Sequence, residues 1–289
     1  LEAITSFDSL PWEECPTDWQ APFRPAGRGV YFTWPLLTDL FPWQHSGIEF
    51  KRTWPIASDT EVLADRWRAL LNASDRGAAF RETGDRTITG TYRDELTENS
   101  DATPIARLPH DAPMPPVRRY AFRSFDRQWF IADGRLISRA RPDLWRAHSD
   151  QQVYITTLSS HVFGHGPALT ACATIPDRHY FQGRGGKDVI PLYRTADAAE
   201  ANLAPGLLKQ LGAAYGRPVA PEDVLAYVYG LLAQPAFTAR FFKELETREL
   251  RVPLTQDAAL FEQVRQLGAR LLWLHTYGER YVPAGQTPG

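Results

Sequence analysis

The sequence has 289 residues, a net charge of −2 at pH 7, 43% hydrophobic residues and 23% charged residues. This composition is typical of a globular protein and excludes a disordered or collagen-like chain. No apolar run reaches the roughly 18 residues that a membrane-spanning helix needs, and the near-neutral charge excludes a chain that is basic over its whole surface. Two cysteines cannot form a disulfide framework, so we expect a cytoplasmic protein. Because the chain begins with Leu1 and its only methionine is Met114, we expect it to be part of a longer polypeptide.

The first part of the chain predicts a surface segment, two short strand-like runs and one helix. Residues 1–28 are rich in proline and tryptophan without periodicity, which indicates a lead-in from a preceding domain. β-Favouring runs follow around residues 30–40 and 47–54. Apolar residues at helical spacing predict a helix over 60–72, capped by its first residue. Residues 83–117 contain glycines, prolines and a polar centre, which predicts a long loop.

The middle of the chain predicts strands. From residue 118 onward, aromatic and β-branched residues indicate a strand that reverses direction near Gly134. Further strand candidates lie at 153–158, 169–175 and 189–193. The sequence thus predicts an α+β fold, with mixed or antiparallel strands in the middle of the chain.

The last third of the chain predicts a helical subdomain. Pro221 and Pro235 stand at first helical positions, and the longest helix is expected over 257–274. Its apolar residues at helical spacing are Leu260, Phe261, Val264, Leu267, Leu271 and Leu274. We expect this row, Leu267 and Leu271 in particular, to lie in the core.

Motifs of common catalytic centres are absent from the sequence. There is no G-x-S-x-G nucleophile motif, and the glycine-rich run at 183–187 is followed by Asp188, where a phosphate-binding loop needs serine or threonine. His161 and His165 have a metal-like spacing, but glycines surround them, and ordinary loop histidines are the better interpretation. The sequence therefore predicts neither a catalytic residue nor a metal ligand of this kind.

One weak alternative is a magnesium-dependent nuclease. Asp39, followed by Glu49 and Lys51 two residues apart, is the pattern of many metal-dependent nucleases. Glu49 and Lys51 would face the same way on a strand. Since such a pattern also arises by chance, an ion pair on one sheet face is the simpler interpretation.

Positive charge is concentrated in residues 107–146, where nine arginines accompany four aspartates. On strands, Arg119 would share a face with Arg123, and Arg139 would share a face with Arg141. A basic face with interleaved aromatic side chains is suited to gripping phosphates and reading bases. A solvated strand face with local aspartate partners is an equally good interpretation of composition alone.

The same segment carries a resemblance to a known family. Residues 120–130 (YAFRSFDRQWF) and 136–142 (LISRARP) resemble the "YRPFD-R-WY…LI-RPRP" signature of the C-terminal specificity region of type ISP restriction–modification enzymes. Residues 34–42 and 46–52 resemble the family's "WP-L-DLFP…SG-KTKRD". Later matching landmarks follow in order at 175–179, 190–193, 224–229, 251–254 and 267–275. Ser124 and Ala140 replace prolines of the signature, and Glu49 stands where a basic residue is common.

This resemblance implies a function in DNA recognition. Such enzymes are long single chains that join a nuclease, an ATP-driven translocase, an N6-adenine methyltransferase and a target-recognition region. The resemblance implies that this chain is the last of these and recognises a specific duplex DNA sequence for the preceding methyltransferase domain. S-adenosylmethionine, ATP and Mg²⁺ would be bound by the parent enzyme outside this chain.

Charge and resemblance together predict the residues that contact DNA. They are Lys51, Arg52, Arg118, Arg119, Arg123, Arg127, Arg139 and Arg141. We expect residues 29–117 to form the N-terminal part of the recognition region and residues 118–289 to form the specificity domain itself. A structural coupler that contacts only sibling domains is the third possibility, beside the recognition module and the nuclease.

Overall fold

The computed structural model describes residues 29–92, 96, 103–157, 165–181 and 189–288. Within these ranges the helices are α1 (Leu37–Leu40), α2 (Thr60–Asn72), α3 (Arg76–Phe80), α4 (Pro142–Arg146), α5 (Leu207–Tyr215), α6 (Pro221–Leu232), α7 (Pro235–Arg240) and α8 (Ala258–His275). The strands are β1 (Ile56–Ala57), β2 (Val117–Arg123), β3 (Asp126–Ile131), β4 (Tyr154–Thr157), β5 (Leu169–Cys172) and β6 (Val189–Pro191). The predicted α+β class with a helical C-terminal part is confirmed. The predicted lead-in over 1–28 lies outside the described residues.

Two small antiparallel sheets occupy the middle of the chain. One has the strand order β1-β3-β2 and the other β5-β4-β6. Strand β4 is buried at all four positions, as expected for a central strand that is covered on both faces. The three strand candidates at 153–158, 169–175 and 189–193 are therefore confirmed, each one shorter than its apolar run.

The hairpin that joins β2 and β3 is placed differently from the prediction. Strands β2 and β3 are joined at Ser124 and Phe125, and Phe125 adopts a left-handed backbone with φ of 55°. A turn does form at Gly134, where Leu136 N donates to Asp133 O (2.9 Å), but residues 136–137 form no strand after it. A β-bulge between Ala121 and Arg123 shifts the register just before this turn. Because a bulge adds one residue to a strand, side chains beyond it no longer follow the alternation before it.

The strand-like run at 30–40 is helical instead, so that prediction was wrong. Residues 30–33 form a 3-10 helix, which α1 soon follows. The buried side chains of Leu37 and Leu40 are three residues apart, which matches a helical turn and not a strand. Leu37 N donates to Leu250 O (2.7 Å), and Val252 N donates to Pro35 O (3.0 Å), so this segment packs on the C-terminal part.

The predicted helices at 60–72 and after Pro221 are confirmed. Helix α2 begins after Asp59, whose carboxylate accepts a hydrogen bond from Glu61 N at 2.6 Å, so Asp59 caps it in place of Thr60. Its buried face is formed by Leu63, Trp67, Leu70 and Leu71. Helix α7 begins at Pro235 as predicted.

Helix α8 is present as predicted, but its buried face is not the expected one. Leu267 is 64% exposed, so its prediction as a core residue was wrong. The buried residues are Phe261, Gly268 and Leu272. A Cβ atom at position 268 would overlap the carbonyl group of Ala226 on α6. The absence of a side chain at Gly268 lets the two helices cross closely, and this crossing turns Leu267 outward.

Candidate nucleic-acid interface

Three chain segments meet at Glu49. Glu49 and Arg139 form an antiparallel bridge, with Glu49 N donating to Arg139 O (3.1 Å) and Arg139 N donating to Glu49 O (3.0 Å). On the other side, Arg178 N donates to Ile48 O at 2.7 Å. The backbone therefore fixes residues from positions 49, 139 and 178 next to one another, although they are far apart in sequence.

The Glu49 carboxylate joins basic side chains from these segments. Its Oε2 atom lies 2.9 Å from Arg139 Nε and 3.0 Å from Arg178 Nη1, and its Oε1 atom lies 3.6 Å from His179 Nε2. Glu49 is only 8% exposed. Burial alone would raise the pKa of this carboxyl, but the bond and charge of Arg178, then His179 and Arg139, lower it. Glu49 is therefore a buried, ionised anchor.

Arg141 completes this group, which we call the Glu49 cluster (Glu49, Arg139, Arg141, Arg178 and His179). Arg141 precedes α4 and has a left-handed backbone with φ of 58°. Its Nε atom donates a long hydrogen bond of 3.4 Å to a backbone carbonyl, and no carboxylate of the described residues forms a salt bridge with it. Burial, followed by the charges of Arg139 and Arg178, lowers the pKa of Arg141. Arg139 and Arg178 thus pair with one carboxylate, and Arg141 adds a third guanidinium group beside them, which leaves positive charge in excess.

Asp177 forms a second buried anchor beside this cluster. Its carboxylate accepts a hydrogen bond from Arg123 Nη1 at 2.9 Å and another from the Tyr120 hydroxyl. Burial raises the pKa of Asp177, although these bonds and the backbone N–H of His179 oppose the shift. The bulge in β2 brings Arg123 to the side of Tyr120, and the side chain of Arg123 remains 42% exposed.

Arg119 and Arg127 lie on the opposite face of the β2–β3 hairpin. Arg119 pairs across the strands with Trp129, and its guanidinium lies 4.0 Å from the centre of the indole ring. Arg127 stacks at 3.9 Å over Tyr277 and forms an ion pair with Glu279. The predicted same-face arrangement of Arg119 with Arg123 is therefore wrong, because the bulge separates the two.

The remaining predicted contact residues have different surroundings. Arg52 is 6% exposed and donates hydrogen bonds to Leu136 O (3.0 Å) and Thr83 Oγ1 (3.1 Å), while its guanidinium stacks on Phe80. Lys51 forms an ion pair with Asp85. Arg118 lies 5.2 Å from the centre of the Trp145 ring. Arg52 thus belongs to the interior, whereas Lys51 and Arg118 are partly accessible.

The geometry gives no support to the nuclease alternative. Asp39 is exposed on α1, where its carboxylate accepts a hydrogen bond from Leu36 N at 3.3 Å. The Glu49 carboxylate is paired with Arg139 and Arg178, and the Lys51 ammonium group is paired with Asp85. In the described part of the chain, no three His, Cys, Asp or Glu side chains are grouped to hold a metal ion. His161 of the histidine pair lies outside the described residues, and His165 stacks on Phe242.

Sequence reasoning missed Arg178, His179 and Asp177 as members of the site. They lie beyond the arginine-rich segment, and nothing in charge counting separates Arg178 from other arginines. The signal that could have found them is the family landmark at 175–179, which contains all three residues.

A sequence-family model described as the type ISP C-terminal specificity domain matches residues 39–288. The chain belongs to this family. The matched range contains both sheets and α2 through α8, together with the Glu49 cluster. A comparison with curated proteins found no match.

Solved structures of similar fold include three that contain DNA. The cryoEM structure of a DrdV–DNA complex matches 95% of this specificity domain with a TM-score of 0.59 and 17% identity. The ATP-dependent type ISP restriction–modification enzyme LlaBIII bound to DNA matches 86% (TM-score 0.56, 15% identity). A nuclease-deletion mutant of the type ISP enzyme LlaGI with a DNA substrate mimic also matches 86% (TM-score 0.53, 16% identity). The domain spans 28%, 17% and 20% of those three chains, respectively. At these identities the likeness shows the fold.

Among the helices of the described residues, none combines the length and the apolar character that spanning a bilayer requires.

Proposed function

We propose that this specificity domain recognises a specific duplex DNA sequence on behalf of an adenine-N6 methyltransferase and a nuclease in the same polypeptide. The observation that carries the proposal is the excess of positive charge at the Glu49 cluster within a domain of this family. The fold is shared with DrdV, LlaBIII and LlaGI, whose structures contain DNA or a DNA substrate mimic. We propose that the domain acts in the cytoplasm.

The proposed interface lies on the Tyr120 side of the β2–β3 hairpin. It consists of the Glu49 cluster together with Arg123 and Lys51. Guanidinium groups can grip phosphates or donate two parallel hydrogen bonds to a guanine, whereas ammonium groups act as point charges. Phosphate contacts set the position of the protein on the duplex, and base contacts supply the specificity. Arg118, and Arg119 with Arg127 on the opposite face, are secondary candidates.

The chemistry of modification belongs to other parts of the parent chain in this proposal. S-adenosylmethionine, ATP and Mg²⁺ would be bound there, and the specificity domain would supply only the DNA contacts. The target adenine would be flipped out of the duplex toward the methyltransferase, since its amino nitrogen is otherwise engaged in base pairing.

Selection from a randomised duplex library tests the proposal directly. The 289-residue chain is incubated with the library at low salt, and the bound fraction is sequenced over several rounds. We expect one short motif to be enriched and the logarithm of affinity to fall linearly with the logarithm of salt concentration, by about 0.9 per phosphate contact. Binding without any motif would contradict target recognition, whereas no binding at all would favour the structural coupler. Arg68→Ala is a control for the loss of one positive charge outside the proposed interface, because Arg68 is an exposed arginine on α2 that pairs with Asp65.

A further inference from the structure

We propose that Arg139 reads a guanine in the target and that Glu49 is the positioning residue that orients it. This inference rests on the proposed function and assigns separate roles to arginines that charge alone cannot distinguish. The juxtaposition that carries it is an arginine held at its backbone and at its Nε atom by the same buried glutamate.

Glu49 contacts Arg139 at two places, the backbone and the Nε atom. Two backbone hydrogen bonds of 3.0 and 3.1 Å hold the main chain, and Arg139 Nε lies 2.9 Å from Glu49 Oε2. The Glu49 side chain is only 10% exposed, so it cannot swing into solvent and carry the arginine with it. Few rotamers of Arg139 remain compatible with both contacts, and the guanidinium is therefore oriented before any ligand binds.

The contact through Nε leaves the far edge of the guanidinium available. The side chain of Arg139 is 47% exposed, and its contact with Glu49 is closest at Nε, away from its Nη1 and Nη2 groups. These two groups form a planar fork. A guanine offers two acceptors, O6 and N7, at matching positions in the major groove, whereas adenine offers one acceptor and one donor. The fork of Arg139 thus fits guanine and rejects adenine.

Charge separates Arg139 from its neighbour Arg141. The Glu49 carboxylate, which Arg139 shares with Arg178, offsets part of the charge of Arg139, so we expect Arg139 to release fewer counterions from DNA than Arg141 does. Within the part of the chain that the structure describes, no carboxylate forms a salt bridge with Arg141, and the positive charges of Arg139 and Arg178 lie near it. An anionic phosphate relieves that crowding. Arg141 is therefore suited to a phosphate, and Arg139 to a base.

Arg178 has a supporting role in this arrangement. Its Nη1 group already donates to Glu49 Oε2 at 3.0 Å, and its side chain is only 22% exposed. Because its Nη1 group is engaged by Glu49 and its Nε atom is buried, Arg178 offers no open two-bond edge to a base, but it keeps Glu49 ionised. The buried, ionised Glu49 carboxylate therefore keeps a fixed position from which it orients Arg139.

Matched lysine substitutions test the assignment, because lysine keeps the charge and loses the fork. Arg139→Lys and Arg141→Lys are compared with the wild-type chain on the selected motif and on its single-base variants. We expect Arg139→Lys to lose about 5- to 150-fold discrimination at one guanine position, with the salt slope unchanged. Arg141→Lys should keep the discrimination at every position. Circular dichroism of each variant confirms that it is folded.

Glu49→Gln tests the positioning role with Arg139 intact. We expect it to relax the same guanine position, and the double variant with Arg139→Lys to be no worse there than Arg139→Lys alone. If Glu49→Gln fails to fold, Arg139→Gln, which removes the fork without touching the anchor, must still relax that position. A motif that persists unchanged in Arg139→Lys would overturn this inference while leaving DNA recognition intact. Failure of the wild-type chain to select a motif would instead contradict the proposed function.

Discussion

Arg52 shows at the residue scale how an arginine in a basic motif can belong to the protein interior. Its guanidinium donates to two backbone carbonyls and to Thr83, and it lies 4.5 Å from the centre of the Phe80 ring. Burial lowers the pKa of Arg52 to about 10, so the group stays charged at neutral pH. Such an arginine connects segments of the fold and has no free edge for DNA.

We expect Arg52→Ala to destabilise the domain without weakening the affinity of the folded fraction for DNA. Removing the guanidinium leaves the buried carbonyl of Leu136 without its donor, at a cost of about 1–3 kcal/mol, and also removes the packing on Phe80. Urea unfolding measures the first effect and a binding titration the second. A loss of DNA affinity at unchanged stability would show instead that Arg52 contacts DNA.

His148 gives the domain a pH dependence that can be measured. Burial, followed by the charges of Arg280 and Arg118, lowers the pKa of His148 from 6.5 to about 4, and its Nδ1 atom lies 3.1 Å from the Tyr154 hydroxyl. Below pH 6.5 the unfolded chain takes up a proton that the folded domain does not. The free energy of unfolding should therefore fall as pH drops from 6.5 toward 4, by at most about 1.4 kcal/mol per pH unit.

The variant His148→Gln isolates this contribution from that of the carboxyl groups. Urea unfolding of both proteins is measured at several pH values across that window. We expect the difference in unfolding free energy between wild type and variant to shrink as the pH falls. A difference that is constant with pH would show that His148 titrates normally in the folded domain.

At the scale of the elements, helix α8 separates what periodicity can predict from what it cannot. The spacing of its apolar residues correctly gave a helix, because amphipathic periodicity is a local property of the sequence. It could not select the buried face, since both Leu267 and Leu272 fit an apolar stripe. The crossing with α6 makes that choice, and it depends on Gly268 meeting Gly230 and Ala226 from another helix.

A pair of leucine substitutions tests this crossing. Leu272 is fully buried, so Leu272→Ala should cost about 2–5 kcal/mol of unfolding free energy. Leu267→Ala should cost less than about 0.5 kcal/mol, as for other surface positions. Thermal or urea unfolding of the two variants measures both values. Equal losses would mean that α8 is rotated relative to the arrangement described here.

The site itself was only partly predictable from the sequence. Arg139 was found because it lies in a dense run of arginines within a family signature. The predicted strand alternation of Arg139 with Arg141 is wrong, since Arg141 has a left-handed backbone, yet Arg141 lies near enough to Glu49 for the two charges to interact. The sequence pattern around Glu49 indicated a possible metal ligand. Its partners Arg178 and His179 come from a distant segment, and only the fold brings them to it.

On the scale of the whole molecule, the hairpin presents arginines on two opposite faces. On the Tyr120 side, Arg123 pairs with Asp177, Arg139 and Arg178 pair with Glu49, and Arg141 adds a further positive charge. On the Trp129 side, Arg119 and Arg127 share the carboxylate of Glu279. A straight duplex can lie along one of these faces only. The larger excess of positive charge favours the Tyr120 side.

The salt dependence of DNA binding decides between the two faces. We expect Arg141→Gln to lower the salt slope by about 0.9, the value for one lost phosphate contact, and to weaken binding to all sequences similarly. Arg119→Gln, which removes an equal charge from the other face, should leave the slope unchanged. Binding titrations at four or more salt concentrations give both slopes. The reverse result, a slope that changes in Arg119→Gln alone, would place the duplex against Trp129 and would show that Arg141 serves only to shape the chain before α4.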